Sequence, residues 1–327
     1  MSILPSATET AATIGIADIR AAAARLAAYA HRTPVLRSRG IDALSGARLA
    51  FKCENLQRGG AFKFRGACNA VWSLSDAQAA HGVVTHSSGN HGAALALAAQ
   101  TRAIAAHVVV PEGTVKTKLA AIAAYGATLH YCAPTLAARE AGAERVRQET
   151  GATLVHPFTD PAVIAGQGTA AAELIEEAGA LDALITPVGG GGLIGGSAIA
   201  AHALQPSIEL FAAEPEGASE AWESLQSGTR VTSLTPHTIS DGLRGIIGAI
   251  NFDLLRAHRV RVLKVSDIET IAAMRLVFER MKLVIEPSSA TALAAILRYP
   301  EYFHGRRVGV ILSGGNVDLD KYFCDLP

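Results

Sequence analysis

The sequence predicts an α/β fold in which parallel-rich sheets are flanked by helices. Three observations lead there. Short apolar or β-branched runs alternate with alanine-rich helical patterns along most of the chain. Parallel strands need crossover connections, which are usually helices, so this alternation argues for parallel pairing. At 327 residues the chain exceeds common single-domain length, which favours two lobes or one large unit.

Taken in order, the first element is an Ala/Leu-rich helix over 18–30, starting at an acidic cap and ended by the Thr33-Pro34 break. Strand-like runs follow at 49–53, 83–86, 106–110, 128–132, 183–188, 209–213 and 307–312. Most of them lead into helical patterns, as βα units require. No long Pro/Ser linker, internal repeat or low-complexity tract marks a domain boundary.

Composition narrows the functional classes. Half the residues are hydrophobic, 18% are charged, and 29 basic residues balance 29 acidic ones. Such a surface gives no electrostatic reason to expect nucleic acid and suits a small neutral or zwitterionic substrate. Charged residues interrupt every apolar stretch before it could span a bilayer, so no membrane partner is expected. The opening residues lack a secretory pattern, which makes the cytoplasm the expected compartment. Cys53, Cys68, Cys132 and Cys324 show no CxxC spacing, so reduced thiols are expected in place of a zinc site or disulfides.

Four segments carry chemistry. Gly189-Gly190-Gly191-Gly192-Leu193 lies between an apolar strand and an Ala-rich helix. Amides without neighbouring Cβ atoms can approach a phosphate, and the following helix presents its positive end. Gly190, Gly192 and Gly195 also satisfy GxGxxG, with Glu214 about where a ribose-binding acid would sit, so a dinucleotide remains a rival ligand. Lys63 lies between Phe62 and Phe64, where an amine would lose its proton more easily than in water. Taken alone it reads as an exposed helical lysine. Thr85-His86-Ser87-Ser88-Gly89-Asn90-His91-Gly92 joins a strand to the helix running from Ala93, a place where a substrate carboxylate could sit or where Ser88 or Asn90 could simply cap the helix. Leu312-Ser313-Gly314-Gly315-Asn316 ends an apolar strand, where open α/β sheets bind ligands.

Together the four segments resemble the fold-type II pyridoxal-phosphate family, a two-lobed fold like the tryptophan synthase β chain, and most closely its serine racemases and short threonine/serine dehydratases. The resemblance runs from Ile19 to Asp318 and includes Glu54-Asn55-Leu56-Gln57 and the segment from Asp160 to Thr169. It implies that Lys63 carries pyridoxal 5'-phosphate as a Schiff base, that Phe62 packs on the ring, and that Asn90 bonds the ring hydroxyl. Gly189 to Gly192 with Leu193 would cradle the phosphate, and Ser313 would face the ring nitrogen. Ser87, Ser88, Asn90 and His91 would meet the substrate, with Arg139 matching an arginine near it.

By the same resemblance Glu214, the Ala218 carbonyl and Glu220 form a divalent-cation site. An all-oxygen set suits Mg²⁺, or Ca²⁺ or Mn²⁺, better than zinc. Residues 1–81 and 154–327 would make a large cofactor-binding domain and 82–153 a small mobile one. A homodimer is implied, whereas the isoleucine-binding regulatory domain and the heme module of relatives are not expected.

The implied chemistry is β-elimination from a small β-hydroxy amino acid such as L-threonine or L-serine, giving a keto acid and ammonia. Lys63 would take the Cα proton, and Ser88 on the opposite face would make racemisation available. Ala93 and Gly245 replace a glutamine and a serine seen in racemases, which weakens the nucleotide-activated racemase reading. A roomier pocket at Gly245, beside Arg244, would admit threonine or 3-hydroxyaspartate. Serine racemase and 3-hydroxyaspartate dehydratase are the alternatives, followed by a nicotinamide dehydrogenase and a silent homologue.

Overall fold

In the computed structural model, residues 14–114 and 116–318 are described. The Cys324 expectation lies outside them. Ten strands occur among the described residues: β1 (Val35–Leu36), β2 (Arg48–Cys53), β3 (Val83–Thr85), β4 (Ala106–Pro111), β5 (Thr128–Cys132), β6 (Thr153–Leu154), β7 (Ala183–Pro187), β8 (Glu209–Pro215), β9 (Arg261–Val265) and β10 (Arg307–Leu312). They build a six-stranded sheet, order β1-β2-β10-β7-β8-β9, and a four-stranded sheet, order β5-β4-β3-β6. Residues between 83 and 154 supply the smaller sheet, and the segments on either side supply the larger.

Every strand pair is parallel except β1 with β2. The central strands are buried along nearly their full length because helices cover both faces. On one side of the large sheet, helices Pro161–Ala178 and Gly192–Leu204 pack so closely that a Cβ at Gly196 would lie 2.2 Å from the Ile164 carbonyl. On the other, helices Asp267–Met281 and Pro287–Arg298 enclose Phe51, Ile185 and Val310.

Register positions the site. Leu312 of β10 pairs with Cys53 of β2, while Val310 pairs with Ile185 of β7, so the carboxyl ends of these strands open on one side. The loops bearing Lys63, the glycine run and Ser313 leave from those ends.

Some boundaries differ from expectation. The first helix is Ile16–Leu26, with the Asp18 carboxylate accepting from the Gly15 amide. The strand read over 83–86 stops at Thr85, and the next helix begins at Asn90, ahead of Ala93. β1 and β6 are too short to leave a pattern, and β9 is an edge strand whose Arg261 and Lys264 disguise it. Among the described residues no helix is long and apolar enough to cross a membrane. Cys53, Cys68 and Cys132 are free thiols, as expected, and burial pushes Cys53 and Cys68 up to about 12.

Candidate active site

Lys63 opens the helix Lys63–Ser73, which starts where two short 3-10 turns bring the chain round from β2. Its Nζ lies 5.0 Å from the Phe62 ring centroid and donates to the Pro157 carbonyl at 2.9 Å. Burial lowers its pKa to about 8, with Glu286 opposing the shift. The surrounding loop is tied to the end of β10: the Phe62 amide donates to the Ser313 carbonyl at 2.9 Å, and the Gly315 amide to Gly60 at 2.9 Å. Ser313 is 2% exposed, which places a neutral hydroxyl residue beside the lysine loop.

Behind Lys63, Arg65 anchors the same helix from the opposite side. Its guanidinium holds Glu54 at 2.7 Å and Glu173 at 2.7 Å, and Lys52 reaches Glu173 at 2.6 Å. Thr33 donates to Glu54 at 2.5 Å. Two cations thus meet two carboxylates in the interior, the condition under which buried charge is tolerated.

The glycine run turns tightly out of β7. Gly191 has φ +88° and its amide is taken by the Val188 carbonyl at 2.9 Å. The Gly192 and Leu193 amides begin the helix Gly192–Leu204 and, as first-turn donors, have no intrahelical acceptor. A Cβ at Gly190 would lie 2.4 Å from the Phe158 ring, and one at Gly189 would lie 3.2 Å from the Gly242 carbonyl. The loop therefore offers bare amides and a helix N-terminus, the geometry that suits a phosphate. Glu214, the candidate ribose acid, points elsewhere, since its carboxylate accepts from the Ala221 and Trp222 amides at 3.0 and 2.9 Å.

The Ser87–His91 turn leads into helix Asn90–Arg102, whose cap residue is Gly89. Neither Ser88 nor Asn90 caps it. The Asn90 amide nitrogen donates to both Glu286 carboxylate oxygens at 3.1 and 2.9 Å, and its oxygen accepts from Asn316 at 3.0 Å. Gly92 is required here, because a Cβ would lie 1.9 Å from the Ser87 carbonyl. Thr85 Oγ1, His86 Nε2 and His91 Nδ1 are buried without hydrogen-bond partners among the described residues. Three orphaned polar atoms around one turn call for a polar ligand. Burial, helped by Lys63, lowers the His91 pKa well below the usual value, so its imidazole is neutral. Arg139, on helix Leu136–Thr150, is half-buried and close enough to add to the burial that lowers His86.

Sequence reasoning missed Glu286 and Asn316 as partners of Asn90. Asn316 stands in a motif already singled out. Glu286 precedes Pro287 at a helix start, which reads as an ordinary cap position.

The candidate cation residues also come together. Ala218 is buried, and the Glu214 and Glu220 carboxyls are both raised by burial, with their mutual repulsion adding to the shift at Glu214. Glu220 accepts from the Ile247 amide at 3.2 Å through one oxygen, and its other oxygen has no partner among the described residues. Two buried carboxylates with an orphaned oxygen fit a small divalent cation. No cluster of three His, Cys, Asp or Glu side chains suited to a metal occurs among the described residues, so a third protein ligand would have to be a carbonyl.

Comparison with known proteins gives the same picture. Residues 26–314 match the family model described as pyridoxal-phosphate dependent enzyme. A serine racemase of Dictyostelium discoideum is 49% identical, over 96% of this chain and 98% of that protein. A beta-hydroxyaspartate dehydratase of Paracoccus denitrificans is 45% identical, over 93% of this chain and 96% of its own length. The solved structure of maize serine racemase superimposes with a TM-score of 0.93 at 43% identity, covering 95% of this chain and 96% of that one. The family match excludes the nicotinamide reading, and the parallel sheets, the glycine loop and the solved relatives agree on one conclusion: this chain belongs to the fold-type II pyridoxal-phosphate dependent enzymes.

Proposed function

We propose that the chain is a 3-hydroxyaspartate ammonia-lyase, converting its substrate to oxaloacetate and ammonia. The relatives favour serine racemase or hydroxyaspartate dehydratase over the threonine or serine dehydratase expected first. The observation that carries the choice between those two is at Gly245, where an added Cβ would meet nothing within 4 Å. This space adjoins Arg244, and the turn before it touches the glycine loop through the Gly242 carbonyl. A second substrate carboxylate would occupy such a place, whereas serine, with no group beyond its hydroxymethyl, would leave it empty.

Bound pyridoxal phosphate would supply the electron sink for charge developing at Cα. Lys63 Nζ takes the Cα proton, and a pKa of about 8 keeps an appreciable fraction of free amine near neutral pH. The Gly192 and Leu193 amides would hold the phosphate, with Gly189 to Gly191 keeping side chains out of its way. Asn90, fixed by Glu286 and Asn316, would bond the ring hydroxyl, and Phe62 would pack on the ring. Ser313 offers the ring nitrogen a hydroxyl that cannot protonate it as a carboxylic acid would. Amides and side chains of Ser87, Ser88 and His91 hold the α-carboxylate. Arg139 would meet the distal one, and Arg244, whose Nε and Nη2 donate to the Thr238 carbonyl at 3.1 and 2.6 Å, would have to give up that contact to do so.

Ser88 supports the second reading, serine racemisation, because a hydroxyl on the face opposite Lys63 can return a proton to Cα. Glu214, Glu220 and the Ala218 carbonyl bind a structural Mg²⁺. The 82–153 unit closes over the substrate as a mobile lobe, and the enzyme works as a homodimer.

A panel of 3-hydroxyaspartate isomers, L-serine, D-serine and L-threonine tests the reading, with keto acid and enantiomer composition measured together. The expected result is kcat/KM highest for a 3-hydroxyaspartate isomer. Serine racemised faster than any isomer is deaminated would overturn it in favour of the second reading.

A further inference from the structure

A cavity of about 430 Å³ lies at the opposite end of the large sheet, where β8 and β9 begin. His202, Glu209, Phe211, His258, Arg259 and Arg261 are among its walls. Four of these six carry or can carry positive charge. The one carboxylate is already engaged, since Glu209 accepts from Arg306 at 2.8 Å.

The two arginines are held in unusual ways. Arg259 follows helix Ala249–Ala257 with φ +53°, and the next amide, that of Val260, reaches back to the Leu255 carbonyl at 2.9 Å. This is the left-handed position after a helix that glycine normally fills, and a β-carbon there costs about 1 kcal/mol. Ala103 and Lys282 share this backbone at other helix ends, so what sets Arg259 apart is that its side chain lines the cavity. Arg261 lies over the rings of Phe211 and Tyr302, at 5.5 and 4.6 Å, which fixes the guanidinium plane and leaves its N–H edge as the polar surface. Neither arginine has a carboxylate partner among the described residues.

The imidazoles complete the arrangement. His202 and His258 meet Nδ1 to Nδ1 at 2.9 Å, and His202 Nε2 donates to the Ile208 carbonyl at 3.2 Å. One proton lies between the two rings and the other is given to the Ile208 carbonyl, so the donors facing the cavity are the guanidinium groups.

We infer that this cavity is a second ligand site, for a small organic molecule ending in a divalent oxyanion, gripped by Arg259 and Arg261. A phosphomonoester and a dicarboxylate share that chemistry. The inference does not depend on the substrate proposed above.

The test uses holoenzyme, whose cofactor-phosphate site is filled, titrated with inorganic phosphate or with succinate at ionic strength matched by sodium chloride. Thermal midpoint and calorimetric affinity are read for the wild type, Arg259→Gly and Arg261→Gln. At least one anion raises the wild-type midpoint, and its affinity falls roughly tenfold in each variant, the effect of losing one charge-assisted hydrogen bond. The responding anion identifies the source of the oxyanion. Arg259→Gly also raises the midpoint without anion, because glycine relieves the left-handed strain, so loss of binding there cannot be blamed on misfolding. No anion-specific shift, or one that survives both substitutions unchanged, overturns the proposal.

Discussion

At the scale of single residues, the proposed chemistry rests on placing one amine where water does not reach it well. Lys63 has a folded-state pKa of about 8 against an ordinary 10.5. Between those values the unfolded chain binds the extra proton, so cofactor-free protein should gain stability as pH rises from 8 towards 10.5. Denaturant unfolding near each limit checks this. Lys63→Met should flatten the difference, and an unchanged slope in that variant would assign the effect to another group. Ser88 makes a separate claim. Ser88→Ala should lower serine racemisation by about 10²–10⁴-fold, the usual worth of a positioned acid or base, while elimination from L-substrates changes only a few-fold. Equal losses in both assays would remove Ser88 from the opposite face.

At the scale of elements, helix Lys63–Ser73 is the member that must not shift, and its anchor is electrostatic. Arg65→Met would leave Glu54 and Glu173 facing a single buried lysine. Breaking such a cluster costs about 3–5 kcal/mol, measurable by chemical denaturation, and Arg65→Lys should recover part of it. A cost below about 1 kcal/mol, typical of a solvated pair, would contradict the account. The same elements show what a sequence reveals. Strands buried on both faces read as apolar runs, so β2, β4, β7, β8 and β10 were legible from residues alone. Two-residue β1 and β6 carry no periodicity, and β9 hides its apolar face among charges because it is an edge. The glycine loop is legible because a phosphate turn is local, whereas Lys63 taken alone reads as an exposed helical lysine and stands out only when the four segments are combined. Glu286 was not legible, since its link to Asn90 spans 196 residues and exists only once the sheets are packed.

At the scale of the whole molecule, the site exists because two sheets meet. Loops from β2, β7 and β10 bring the lysine, the glycine run and Ser313, while the turn after β3 brings Ser88 and Asn90. The hydrogen bonds that Asn90 donates to Glu286 and accepts from Asn316 cross between these two groups of elements. Substrate choice is the least legible property, because Gly245, Arg244 and Arg139 can be named in the sequence but it gives no size or charge for the space around them. The proposed cation site belongs to this scale too. Adding Mg²⁺ to chelator-treated protein should raise its thermal midpoint, with about 2.7 kcal/mol of stabilisation at a hundredfold excess over Kd. Glu220→Gln should abolish that response, and a response that persists would place the cation elsewhere.

The central claim is that Lys63 both anchors the cofactor and serves as base. Borohydride reduction of the yellow holoenzyme, followed by peptide mass analysis, tests it most directly. The expected result is a single pyridoxyl-modified peptide carrying the label on Lys63, with the visible colour and the keto-acid activity lost together. Label on another lysine, or full turnover by purified Lys63→Ala protein, would contradict it.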